Sequence, residues 1–323
     1  MKVIEVAEFG GPEVLAPVEV PDPVPGPGEV VVDVAAADVL FVDTQVRQGV
    51  FDFGVQPPYV PGDGFAGTVS AVGDEVDADW VGRRVAAYTG GFLGTGGYRE
   101  RGVVTADALV AVPDDVPSTV AAALLHDAVT ALTVTDAAQI RPGEWVLVTA
   151  AAGGMGVLLL QLAASAGGRV VGAARGAEKT ALIRKYGAEA VDYSEPGWDE
   201  RANALTGGAG FPVVLDGAGG AVGEAAFRIT ADGGRFSAHG SPSGGFAALD
   251  ADAAAARGIH LRGIADVQLP PERMRNLLAR ALDEAAAGRL KPAIGATFPL
   301  EKAVDAHAAL AARAVPGKAL LIT

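Results

Sequence analysis

The most chemically specific stretch of the sequence is Ala151-Ala152-Gly153-Gly154-Met155-Gly156, which follows the apolar run Trp145 to Ala150 and precedes a second one, Val157 to Ser165. Glycines at this spacing, between a strand and a helix, suit phosphate binding. Gly153 lets a backbone approach a pyrophosphate, Gly156 lets helix and strand pack closely, and Ala151 stands where the first glycine of a dinucleotide-binding turn falls. The helix N-terminus then offers free N–H groups and the positive end of its dipole to phosphate. Ala152, Gly153, Gly154, Met155 and Gly156 are therefore the candidate phosphate-binding residues. The alternative is a tight strand-to-helix turn with no ligand.

The end of the next strand decides which dinucleotide fits. Enzymes that take NAD carry an Asp or Glu there to hold the ribose 2′-hydroxyl, but this chain has Ala174. Beside it stand Arg175 and, on the following helix, Lys179, whose charges and multiple donors suit a 2′-phosphate. The pattern points to NADPH. The competing reading makes both residues solvated surface charges, since the same helix also carries Arg184 and Lys185.

Composition removes other chemistries. The chain has 323 residues and no cysteine, which excludes disulfides, iron–sulfur clusters, thiolate zinc sites and cysteine nucleophiles. Its four histidines, His126, His239, His260 and His307, show no pair at metal-ligand spacing, so no metal is expected. A formal net charge of −14 disfavours nucleic acid and anionic lipid surfaces. The apolar runs are shorter than a bilayer span and no signal-peptide pattern is visible, so a cytoplasmic protein without membrane partners is expected.

The elements that must position these residues fall into two groups. The first 110 or so residues are rich in Gly, Pro and Val, with short alternating runs, Glu29 to Val34 and Gly67 to Val72, between turn signals, as in a compact β-rich domain. From Pro117 an Ala-rich helical pattern runs to Ala138, which puts a domain boundary near residue 118. Beyond it, strands at Trp145 to Ala150, Arg169 to Ala173, Ala190 to Tyr193, Val213 to Asp216 and Arg235 to Ala238 alternate with helices. That alternation predicts an α/β fold with a doubly wound parallel sheet. The tail departs from it, with helices at Pro271 to Ala287 and Leu300 to Ala312 and strands near Ala293 to Phe298 and Lys318 to Thr323.

Several ordered motifs agree in register with one known family. With Phe9-Gly10-Gly11-Pro12-Glu13-Val14-Leu15, Pro25-Gly26-Pro27-Gly28-Glu29-Val30, Pro61-Gly62-Asp63-Gly64-Phe65-Ala66-Gly67 and the terminal Gly317-Lys318-Ala319-Leu320-Leu321, the chain resembles the zinc-independent, quinone oxidoreductase-like branch of the medium-chain dehydrogenase/reductase family. The resemblance covers nearly the whole chain. It implies a GroES-like catalytic domain of residues 1–118 and 266–323, a Rossmann NADPH-binding domain of residues 119–265, and the nicotinamide between them. It implies a place for Tyr193 by the adenosine 2′-phosphate, and for Ala218, His239, Gly240 and Ser241 along the nicotinamide half of the cofactor. A homodimer through the edge strand Ile259 to Ala265 also follows from it.

Departures from the family carry information too. Zinc-dependent relatives follow the Pro-Gly turn with His-Glu, where this chain has Asp63-Gly64, and many quinone reductases carry Asn at Leu40 and Tyr at Gln45. Without zinc, hydrogen-bond donors must stabilise charge on the acceptor oxygen during hydride transfer. By resemblance, Thr130 is the first candidate, the alternative being a helix threonine bonded to its own backbone. His126, four residues earlier, shares its helix face and is a candidate proton donor or a satisfied structural histidine. Asp43, before Arg47, orders its loop, meets substrate or forms a structural ion pair.

The implied reaction is NADPH-dependent reduction of a small conjugated carbonyl compound, a quinone or an enone. Two alternatives stand beside it: an enoyl reductase acting on an acyl-thioester or biosynthetic intermediate, and a non-catalytic NADPH-binding protein. Substrate choice is expected to lie in the loops Phe51 to Pro57, Thr89 to Gly97 and Gln268 to Arg273.

Overall fold

The computed structural model describes residues 1–51, 54–90 and 96–323. Parts of two expected substrate loops, at 52–53 and 91–95, lie outside the described residues. The chain divides into two compact units, Met1–His126 with Pro271–Thr323, and Asp127–Pro270.

The first unit begins with β1 (Lys2–Val6), β2 (Leu15–Glu19) and the long β3 (Glu29–Val39), followed by the short helix α1 (Phe41–Arg47). Strands β4 (Gly64–Val72), β5 (Arg84–Tyr88), β6 (Arg101–Thr105) and β7 (Leu109–Ala111) complete the run before α2 (Ser118–Ala138). β3 is longer than its alternating start predicts. Its second half, Ala36 to Val39, is buried at every position, including Asp38, so the apolar–polar alternation that marks a half-exposed strand disappears there. β4 likewise begins at Gly64 rather than Gly67.

α2 leads into the second unit, which runs β8 (Trp145–Thr149), α3 (Gly154–Ser165), β9 (Arg169–Ala174), α4 (Gly176–Lys185), β10 (Glu189–Asp192) and α5 (Trp198–Leu205). It continues with β11 (Phe211–Asp216), α6 (Gly220–Arg228), β12 (Thr230–Ala238), α7 (Ala251–Ala256) and β13 (His260–Gly263). Every pairing in its sheet is parallel, in the order β10-β9-β8-β11-β12-β13. This is the doubly wound arrangement of a dinucleotide-binding domain, with the strand order reversing between β8 and β11. β8 and β11 read as unbroken apolar runs because both their faces are covered. α3 is apolar nearly all round and correspondingly buried from Gly156 to Leu160.

The last segment returns to the first unit with α8 (Pro271–Ala286), β14 (Ile294–Pro299), α9 (Ala303–Ala311) and β15 (Lys318–Ile322). Pro271 opens α8, where a missing N–H costs nothing, and Leu278, Ala281 and Leu282 form its buried face. One edge of β3 is divided between two partners: Glu29 to Asp33 pair with β6, and Ala36 to Val39 pair with β15. Its other edge carries β4. A single core of valines from β3, Phe65, Tyr98, Leu300, Ala319 and Leu321 packs this sheet together.

α2 is, among the described residues, the one helix long and apolar enough to cross a membrane by composition, and 61% of its apolar window is buried inside the protein. Ala121 to Leu125 are all at or below 1% exposure.

β3 and β4 approach so closely at Gly67 that a Cβ there would sit 2.1 Å from the Asp33 carbonyl oxygen. The strand register shifts at this point, where Val34 pairs with Gly67. Gly67→Ala should therefore destabilise the protein by at least about 1–3 kcal/mol, the range for forced overpacking. Denaturant unfolding measures it directly.

Candidate functional site

In the second unit the candidate cofactor residues follow the carboxyl ends of neighbouring parallel strands. Thr149 at the end of β8 is in register with Ala173 of β9 and with Asp216 of β11, Asp216 with Ala238 of β12, and Ala174 with Asp192 of β10. Ala152 to Gly156, Arg175, Ala218 and His239 to Ser241 each stand just beyond one of these ends, on the edge of the sheet where ligands of such folds bind.

The glycine turn is tighter than a plain connection requires. α3 starts at Gly154 rather than Val157, so Gly154, Met155 and Gly156 form its first turn. A Cβ on Gly156 would lie 2.4 Å from the Ala150 carbonyl oxygen, which fixes glycine there by strand–helix packing. Gly153 faces no such obstacle, its nearest atom being that same oxygen at 3.3 Å, so the space it keeps clear lies outside the turn. As N-cap it offers no side chain, and the first amides of α3 are left for another acceptor. These features fit a pyrophosphate.

The loops after β11 and β12 are pinned from below. Oδ1 of the buried Asp216 accepts the Thr149 hydroxyl and the amides of Ala218 (3.1 Å) and Gly219 (3.2 Å). The Asp216 carbonyl accepts the amides of His239 (3.0 Å) and Gly240 (3.2 Å). His239 is buried and its pKa is pushed down to about 4 by that burial, so it is a neutral imidazole.

At the end of β9, Arg175 is exposed and makes no hydrogen bond or ion pair among the described residues. Lys179 is half-buried on α4. Tyr193 donates its amide to Ala174 at 3.0 Å and packs edge-on against Trp198. The sequence reading passed over Asp192. Its Oδ2 accepts the amide of Gly176 at 2.9 Å, and the only advance signal was its place before Tyr193 at the close of a strand.

In the first unit, His126 sits on α2 between two carboxylates. Its Nδ1 lies 3.0 Å from Asp38 Oδ2 and its Nε2 2.8 Å from Asp63 Oδ2. Two carboxylate acceptors require both ring nitrogens to donate, which makes His126 an imidazolium. Burial opposes that charge, but Asp38 and Asp63 outweigh it and raise the pKa to about 10. Lys318 Nζ stands 3.2 Å from the same Asp38 oxygen. Burial disfavours the Asp38 charge, yet His126 and Lys318 hold its pKa below the ordinary value. Tyr88 packs its ring edge on His126 and donates its hydroxyl to the Leu125 carbonyl.

Asp43 has a different task. It is 2% exposed, and its Oδ2 accepts the Leu40 amide (2.9 Å) at the start of α1 and the Tyr98 hydroxyl (3.0 Å). Burial pushes its pKa up to about 7. Asp43 thereby holds the start of α1 and makes no ion pair among the described residues, and the buried Arg47 guanidinium has no hydrogen-bond partner among them. With its hydroxyl hydrogen directed to Asp43, the Tyr98 oxygen is left to accept from His307 Nε2 at 3.0 Å, and burial keeps His307 neutral, with a pKa of about 3.

Thr130 is half-buried and its hydroxyl has no partner among the described residues, whereas Thr133 bonds back to the Val129 carbonyl at 2.8 Å. The ordinary fate of a helix threonine thus falls to Thr133. Asp38, Asp63 and Lys318 do not stand out as a group in the sequence, because Asp38 and Asp63 reach His126, and Lys318 reaches Asp38, from three distant segments.

Residues 26–114 match the family model described as the alcohol dehydrogenase GroES-like domain, and residues 154–283 match the one described as zinc-binding dehydrogenase. The chain is 33% identical to a quinone oxidoreductase of Pseudomonas aeruginosa over 329 aligned positions, covering 99% of each. Its structure is similar to that of Escherichia coli quinone oxidoreductase complexed with NADPH, with a TM-score of 0.90 at 28% identity and full coverage of both chains. A structure titled as an NAD-dependent alcohol dehydrogenase is similar to the same degree, with a TM-score of 0.89 at 32% identity and full coverage of both chains.

The His126 charge has a measurable pH signature. Its folded pKa is raised above the unfolded value of about 6.5, so its contribution to stability is complete below that pH and is lost as pH rises toward 10. Denaturant midpoints should show this loss, and Asp63→Asn should shrink it. By NMR the His126 ring should remain protonated at pH 8, and should titrate at lower pH in Asp63→Asn.

Proposed function

The chain belongs to the medium-chain dehydrogenase/reductase family, in its quinone oxidoreductase-like branch, and from that premise we propose that it catalyses NADPH-dependent reduction of a conjugated carbonyl compound, a quinone or an enone, without zinc. The observation that carries the reading is the strand end at Ala174, where the acid of an NAD site is replaced by a small residue followed by the exposed Arg175, which has no partner among the described residues. The open amides at the head of α3 support the same cofactor. Its solved relative with bound NADPH supports it as well.

NADPH, when bound, would supply the hydride. Ala152 to Gly156 would hold its pyrophosphate, Arg175, Lys179 and Tyr193 its 2′-phosphate, and Ala218 with His239 to Ser241 its nicotinamide half. His239, neutral through burial, adds no charge there. Negative charge developing on the acceptor oxygen requires fixed donors. Thr130, whose hydroxyl has no partner among the described residues, is the proposed hydrogen-bond donor, while the His126 imidazolium is offset by Asp38 and Asp63. Both ring nitrogens of His126 are already bonded to carboxylates, so the balancing proton comes from solvent. A reaction without zinc is supported by the absence of cysteine and by the direct pairing of Asp63 with His126. We place the enzyme in the cytoplasm, acting on a small molecule.

Steady-state NADPH oxidation with a benzoquinone, phenanthrenequinone and a simple enone tests this reading. Turnover is expected with at least one class, and Thr130→Val should lower kcat by about 10²-fold, the scale of one lost oxyanion donor, with cofactor affinity unchanged. NADPH binding without any turnover would refute the catalytic assignment.

We also infer a homodimer joined along β13, the last strand of its sheet, whose outer edge is a natural template for pairing. Light scattering should give twice the chain mass.

A further inference from the structure

Sites that bind NAD place an acid at the end of the second strand of the fold to receive the ribose 2′-hydroxyl. β9 lacks it, but the neighbouring strand supplies a carboxylate at the same level. β10 ends at Asp192, in register with Ala174. The carboxylate is held firmly: Oδ2 accepts the Gly176 amide at 2.9 Å, and Oδ1 accepts the Ser194 amide at 2.8 Å and its hydroxyl at 2.5 Å. Burial opposes its charge, but these bonds, with Arg201 nearby, keep its pKa below the ordinary value. At neutral pH Asp192 is therefore an anion.

Its position matters because of what it touches. Gly176 is the first residue of α4 and directly follows Arg175. The amide that a phosphate at this helix end would otherwise receive is already given to a carboxylate. We propose that Asp192 is a specificity-determining residue, a carboxylate that competes with Arg175 over the 2′ position of the dinucleotide. It accepts from a ribose hydroxyl and repels a 2′-phosphate. The proposal rests on the reading of the Ala151–Gly156 turn as a nicotinamide dinucleotide site. It adds that the 2′ pocket carries both signs of charge, so the natural preference for NADPH over NADH is modest and is limited by one side chain.

The test is the ratio of Kd values for NADPH and NADH, read from nicotinamide fluorescence on the intact chain. Asp192→Asn keeps the shape and one of the two acceptor oxygens, enough for either the Gly176 amide or the Ser194 donors but not both, while removing the charge. It should tighten NADPH by about tenfold, the scale of one screened like-charge contact, and leave NADH unchanged or weaker. Arg175→Ala should move the ratio the other way. If Asp192→Asn does not fold, Asp192→Ser, which retains an acceptor oxygen, is expected to shift the ratio in the same direction. A ratio unchanged in a folded Asp192 variant that binds both dinucleotides overturns the proposal and leaves the cofactor reading intact. Failure of the unaltered protein to bind either dinucleotide overturns the cofactor reading, and the proposal with it.

Discussion

A cation can be held largely out of water only when neighbouring charges offset it, and His126, whose side chain is 15% exposed, is held on those terms. Asp38 and Asp63 grip its two ring nitrogens, and Lys318 balances the second negative charge. The four residues come from α2, β3, the turn before β4, and β15. One electrostatic requirement thus joins four elements, three of them also tied by backbone pairing of β15 to β3 and of β3 to β4. Removing a single member would strand an uncompensated charge, whereas apolar replacement of the whole set would not.

The second unit relies on a different constraint, the close approach of backbones. A Cβ on Gly240 would lie 2.0 Å from the Gly217 carbonyl oxygen, so the loops after β11 and β12 touch main chain to main chain. Asp216 then ties both to the end of β8 through Thr149. Rigid loops on a parallel sheet are what positioning a nicotinamide demands, because small errors in the reacting geometry are costly.

Local pattern carried much of this into the sequence. The glycine turn, the apolar runs of β8 and β11, and the alternation of strands and helices are all short-range signals, and the sheet order follows from them by general rules of handedness. What local pattern does not hold is partnership across distance. Asp38 and His126 are 88 residues apart and Asp63 and His126 are 63 apart, and no spacing rule connects them. Asp192 is hidden for a related reason: it lies opposite Ala174 in the neighbouring strand, a register that only the folded sheet defines. The second half of β3 was missed because burial on both faces erases alternation. The bond from the Leu40 amide to Asp43 is likewise not legible in the sequence, because it depends on how α1 begins.

The divided edge of β3 has a bearing on biosynthesis. Half of that edge is filled by β15, which the ribosome delivers more than 270 residues after β3 itself. Until then Ala36 to Val39 expose unpaired amides and carbonyls on an apolar strand, a template for improper association. The intervening 127–270 unit contains all of its own sheet and can fold while the first unit waits. The sheet of the 127–270 unit is thus complete in the chain before the sheet begun at the N-terminus can be closed by β15.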